Sequence, residues 1–66
     1  MPRTLEELAK MIARRDSISY EEGLAIVRDC AAALESAFAD GNIDEAEDIV
    51  RDYMGLEPDY LDLFIL

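Results

Sequence analysis

The sequence predicts an all-α fold, a small three-helix bundle with a short fourth C-terminal helix. Three observations lead there. Apolar residues recur at the three-and-four spacing of a helix face in three successive stretches. Each stretch opens on a pair of residues with capping spacing, and the second and third close on a glycine. Nothing in the chain alternates with the period of two that marks a half-buried strand, and no repeat or low-complexity run interrupts it. With 66 residues there is material for one core, so positions 1–66 read as a single helical domain.

The first helix opens on Thr4 and Glu7, spaced as a capping box, and runs to about Arg15. Leu5, Leu8, Ala9 and Ile12 form a narrow apolar stripe. Glu6, Lys10 and Arg14 follow at four-residue steps that favour ion pairing, and Arg14 and Arg15 end the helix where cations complement its dipole. After a connector at 16–18, the stretch 19–40 is the longest and most apolar. Ser19 and Glu22 cap it, and Gly41 stops it. Its stripe reads as Tyr20, Leu24, Val27, Ala31, Leu34 and Phe38, widened by Ile26, Cys30, Ala33 and Ala37. Gly23 is its weak point as a helix former and a place where the first helix can approach closely.

Asn42 and Glu45 open the third helix, which gathers Ile43, Ala46, Ile49, Val50, Tyr53 and Met54 on one face and ends at Gly55. Pro58 suits the first position of a last short helix, with Asp59 in its first turn. That segment presents Tyr60, Leu61, Phe64 and Ile65 and is expected to fold back onto the open side of the bundle.

Charge is the outlier. Sixteen acidic and six basic residues leave −10, a self-repulsion that steers the chain away from phosphates and anionic membranes and towards basic partners. The distribution is lopsided. Arg3, Lys10, Arg14 and Arg15 make positions 1–15 a formal +2, whereas fourteen acids against Arg28 and Arg51 make positions 16–66 a formal −12. Asp44, Asp48 and Asp52 lie four residues apart, roughly 6 Å along a helix axis. Like charges so placed destabilise a helix by about 0.2–0.5 kcal/mol per pair, and their spacing is within about a factor of two of that of DNA phosphates. Glu45, Glu47, Asp59 and Asp62 extend the acidic surface, and Glu22, Asp29 and Asp40 add a row on the back of the central helix.

Other chemistry is poorly provided for. There is no histidine, no nucleophile beside a base, and no glycine-rich phosphate loop. No cofactor, catalytic residue or metal ligand is expected, and the chain reads as a non-enzyme. Asp40, Asn42 and Asp44 have the opening spacing of a calcium-binding EF-hand loop. Glu45 then stands where the turn glycine belongs and Arg51 where the bidentate glutamate belongs. Cys30, the lone cysteine, forms no internal disulfide and reads as a small buried hydrophobe of an intracellular, cytoplasmic protein. No run approaches the roughly 18 apolar residues of a membrane-spanning helix.

The stretch Ile18-Ser19-Tyr20-Glu21-Glu22, the Asp40-Gly41-Asn42 turn and the closing Asp52-Tyr53-Met54-Gly55-Leu56-Glu57-Pro58-Asp59-Tyr60-Leu61 resemble small acidic proteins encoded by bacteriophages and mobile elements. The likeness covers 17–66. Several proteins in that company are anti-CRISPR or anti-restriction factors whose acidic surfaces imitate DNA. The resemblance implies stoichiometric inhibition of a bacterial defence complex, with no catalytic residues and no direct contact with nucleic acid. On this reading Asp44, Glu45, Glu47, Asp48, Asp52, Asp59, Asp62, Glu22 and Asp29 occupy a basic groove of a CRISPR or other DNA-binding complex in the bacterial host. The alternative is a protein-interaction or dimerisation module that uses its apolar end, Tyr60, Leu61, Phe64 and Leu66, with the acids serving solubility. Either is compatible with a monomer or weak homodimer.

Overall fold

The structure, a computed structural model, describes residues 2–65. In order these form α1 (Leu5–Asp16), α2 (Tyr20–Ala39), α3 (Ile43–Met54), a 3-10 turn (Pro58–Leu61) and the one-turn α4 (Asp62–Ile65). The expected bundle is therefore the observed one, with the closing segment split between two helix types. Pro58 enters at the first position of the 3-10 turn, where its missing N–H costs nothing.

The starts are set by side chains. The Glu7 N–H donates to Thr4 Oγ1 at 3.1 Å, the Glu22 N–H to Ser19 Oγ at 3.0 Å, and the Glu45 N–H to Asn42 Oδ1 at 3.1 Å. Only α2 has the full reciprocal box, with the Ser19 N–H returning a bond to Glu22. At α1 the box expected for Thr4 and Glu7 is half made, because the Glu7 carboxylate accepts from the Arg3 N–H instead.

The stops are backbone motifs. Gly41 takes φ +69°. Its N–H donates to the Phe38 carbonyl, and the Asn42 N–H reaches back to the Ala37 carbonyl, which satisfies carbonyls that the end of α2 leaves open. Gly55 also stops α3 in the left-handed region, at φ 66°, with a single bond from its N–H to the Arg51 carbonyl. Ser17 does this for α1 without being a glycine, at φ 56°, and an L side chain in that region costs about 1–2 kcal/mol. The Ser17→Gly variant is therefore expected to be more stable by about 0.5–1 kcal/mol, read as a higher urea midpoint at unchanged slope.

One contact between helix ends orients the bundle. Arg15, in the last turn of α1, donates from Nη1 to the carbonyl of Met54, the last residue of α3, at 2.7 Å. Hence α1 and α3 run the same way, with α2 counter to both and packed against each. Arg15 lies in the last turn of α1, where its charge complements that helix's dipole. It also caps a different helix, and Asp16 holds its fork at 2.8 and 2.9 Å. Hydrogen bonding to Arg15 lowers the Asp16 pKa, so this exposed pair is intact at neutral pH and weakens as acid titrates the carboxyl. Arg15→Met is expected to lower stability by about 1 kcal/mol, mainly through the lost cap on the Met54 carbonyl, measurable by denaturant titration.

The core is Leu8, Ala9 and Ile12 from α1, Val27, Cys30, Leu34 and Ala37 from α2, Ala46, Val50 and Met54 from α3, and Leu61. It departs from the expected stripes in a consistent way. The buried line of α2 is Gly23, Val27, Cys30, Leu34 and Ala37, so Tyr20, Leu24, Ala31 and Phe38 fall on its flank. The cause is Gly23. A Cβ there would stand 2.5 Å from the Ala9 carbonyl oxygen and 3.3 Å from the Ala13 Cβ, so α1 sits directly on the glycine and fixes the rotation of α2. On α3, Ile43 and Tyr53 were expected inside and are about half exposed. The four-residue row Glu6, Lys10, Arg14 makes no ion pair among the described residues.

Candidate partner-binding surface

Burial of Ala46, Val50 and Met54 fixes the orientation of α3, and the opposite side must then carry Asp44, Asp48 and Asp52. All three are exposed, in one outward row. Asp44 has no ion-pair partner among the described residues. Asp48 and Asp52 share Arg51, whose guanidinium lies 2.8 Å from one and 3.7 Å from the other. The row is thus three carboxylates with one cation beside them, less negative than a count of acids suggests. The three-residue step from Asp48 to Arg51 is the sequence signal for that pairing.

The other acids differ in how freely they can act. Glu45 is exposed, but its carboxylate accepts from Asn42 Nδ2 at 3.3 Å, and Glu22 is engaged in the capping box. Glu47 is half-buried at the edge of the α3 face. Asp29 is exposed on α2, Asp59 on the 3-10 turn and Asp62 on α4. These elements do not bring all nine acids onto one face; Asp44, Asp48 and Asp52 are the set sharing one line. Among the described residues no charged or polar side chain is buried, so the surface offers solvated charge and hydrogen-bond acceptors. Compared with known protein families, curated proteins and solved structures, the chain matches none. The reading of this surface therefore rests on its own geometry.

The turn with the EF-hand-like opening is an open concavity lined by Asp40, Gly41, Asn42, Ile43 and Asp44. Its residues are accounted for by the stop of α2 and the start of α3. No group of three His, Cys, Asp or Glu that could hold a metal ion occurs among the described residues.

The apolar end folds back as expected. Leu61 is in the core, 6% exposed, and Leu63 and Phe64 pack partly buried against it. The Tyr60 hydroxyl donates to Met11 Sδ at 3.8 Å, tying the segment to α1. Of the four residues proposed for docking there, Leu61 is covered, Tyr60 and Phe64 are half-buried, and Leu66 lies outside the described residues. Ile65, 59% exposed, is the side chain that stands clear. Cys30 is fully covered, and burial pushes its thiol up to about 11, so it is a packing residue with little thiolate at neutral pH. No helix among the described residues is long and apolar enough to cross a membrane.

Proposed function

We propose that this protein is a stoichiometric inhibitor of a bacterial defence complex, of the anti-CRISPR kind, that fills a basic nucleic-acid groove with its acidic surface. The observation that carries the reading is the outward row Asp44, Asp48 and Asp52 on a helix whose opposite side is locked into the core. A row held on a packed helix meets cations without the entropy loss of ordering a flexible acidic tail. Asp44, which has no ion-pair partner among the described residues, and the free lone pairs of Asp48 and Asp52 are acceptors for Lys and Arg side chains that otherwise clamp phosphates. The acids at Glu45, Glu47, Asp59, Asp62, Glu22 and Asp29 add to the field that attracts a basic partner over a distance.

The test is competition. Purified CRISPR effectors are challenged with labelled target DNA while this protein is titrated in. The expected result is loss of DNA binding with an end point at a fixed ratio of protein to complex. The affinity should fall at least about tenfold between roughly 50 and 500 mM salt, because exposed charge pairs are screened within about 10 Å at 0.1 M. Undiminished DNA binding across the panel at excess protein, or inhibition indifferent to salt, sinks the reading.

A further inference from the structure

The chain carries one cysteine and three methionines, and the fold treats their sulfur unequally. Cys30 is 0% and Met54 1% exposed. Met11 packs against the core but is only partly buried. Among the described residues it is the one sulfur-bearing side chain left within reach of a small oxidant in the folded protein.

Met11 also stands at a seam. α1 packs closely with α2, and the 3-10 turn packs with α3. Two side chains of α1, one turn apart, make hydrogen bonds across to the other side of the bundle. Arg15 donates to the Met54 carbonyl. Met11 Sδ accepts from the Tyr60 hydroxyl at 3.8 Å, across 49 positions. Among the described residues this is the one side-chain hydrogen bond between α1 and the C-terminal segment. Leu61, next to Tyr60, is in the core, and Leu63 and Phe64 are partly buried against it.

A thioether suits the place because it is apolar, flexible and a weak acceptor. Its sulfoxide does not. A peroxide oxygen passes to the sulfur lone pair as the O–O bond breaks; sulfur is oxidised by two electrons, and the second oxygen leaves with both protons as water. The product is a polar side chain. No charged or polar side chain is buried among the described residues, so the core beside Met11 offers the new oxygen no donor. Water is its main partner, and reaching water pulls the side chain off the seam.

We infer that Met11 is an oxidation site whose conversion to the sulfoxide by a peroxide unlatches the C-terminal segment, residues 58–65, from α1. The modification uncovers Leu61, Leu63 and Phe64 while α1, α2 and α3 stay packed.

The experiment treats the protein with hydrogen peroxide, assigns the added oxygen by peptide mass spectrometry, and then digests briefly with chymotrypsin. That protease cuts after the aromatic and leucine side chains of the segment, so cleavage after Tyr60 reports how often the segment opens. Met11 is expected to oxidise well ahead of Met54, and cleavage after Tyr60 to become at least about fivefold faster once Met11 is the sulfoxide. The Met11→Leu variant keeps the apolar volume without the sulfur, and its cleavage rate should be the same with and without peroxide. Oxidation of Met54 as fast as Met11 overturns the inference. So does a Met11 sulfoxide whose segment is cut no faster than before, which shows that the seam accommodates the oxygen. Peroxide acceleration that persists in Met11→Leu assigns the effect to another residue and overturns it too. The comparison of oxidised with unoxidised wild-type protein stands even if the leucine variant does not fold.

Discussion

Replacing Gly23 with valine is expected to cost the fold about 2–3 kcal/mol, a large part of the stability available to a domain of this size. The glycine hydrogen occupies the place where a Cβ would meet the Ala9 carbonyl oxygen at 2.5 Å. That oxygen belongs to the backbone of α1, so it cannot swing aside as a side chain can. Relief requires α1 to slide or lift, which loosens Leu8, Ala9 and Ile12 against Val27 and Cys30. Valine at a helical site is itself better tolerated than glycine by about 0.3–0.5 kcal/mol, so the net sign is a direct measure of the close approach. Urea denaturation followed by circular dichroism decides it. A variant as stable as the parent shows that α1 does not lie on Gly23.

The triple variant Asp44→Lys/Asp48→Lys/Asp52→Lys is expected to abolish inhibition while leaving the bundle folded. All three side chains are exposed, and none caps a helix start or supports the core. The substitutions change the formal charge of the chain by six, from −10 to about −4, and turn an acceptor row into a donor row. A basic groove then meets like charge, a penalty of several kcal/mol in a close interface. New lysine repulsions beside Arg51 replace the Asp44–Asp48 and Asp48–Asp52 repulsions, the Asp48–Arg51 pair is lost, and a cation at position 44 opposes the dipole in the first turn of α3, so the helix is expected to weaken by about 1 kcal/mol. The competition assay and a thermal melt are read together. Full inhibition by a folded triple variant removes the α3 row from the mechanism.

The local rules of the chain were legible because they act between residues three or four apart. Thr4, Ser19 and Asn42 at the helix starts, and Gly41 and Gly55 at the stops, each declare themselves within one turn. Ser17 was missed because a serine gives no sign that it will take a left-handed conformation; the bond from the Ile18 N–H to the Ala13 carbonyl compensates for its strain. The rotation of α2 was not legible. Apolar residues cover more than half of its circumference, so composition leaves the buried line open, and contact with α1 at Gly23 decides it. Arg15 escaped for a related reason, since its acceptor lies 39 positions away. At the candidate surface, exposure of Asp44, Asp48 and Asp52 followed from the helical period. The exposure of Tyr20 and Tyr53 did not, because both sit at apolar positions of their helices and only packing shows them uncovered.

The fold-back of the C-terminal segment has a kinetic consequence. Its neighbours in the sequence, α1 with α2 and α2 with α3, form helical hairpins whose closure spans short loops, the kind of contact that forms on microsecond to millisecond scales. The link from Tyr60 to Met11 spans 49 positions and cannot precede those hairpins at comparable entropic cost. The segment is therefore expected to reach α1 after the hairpins close, whereas its packing against α3, across residues 55–57, is local. Amide protons around 58–65 should accordingly exchange with solvent ahead of those in the middle of α2.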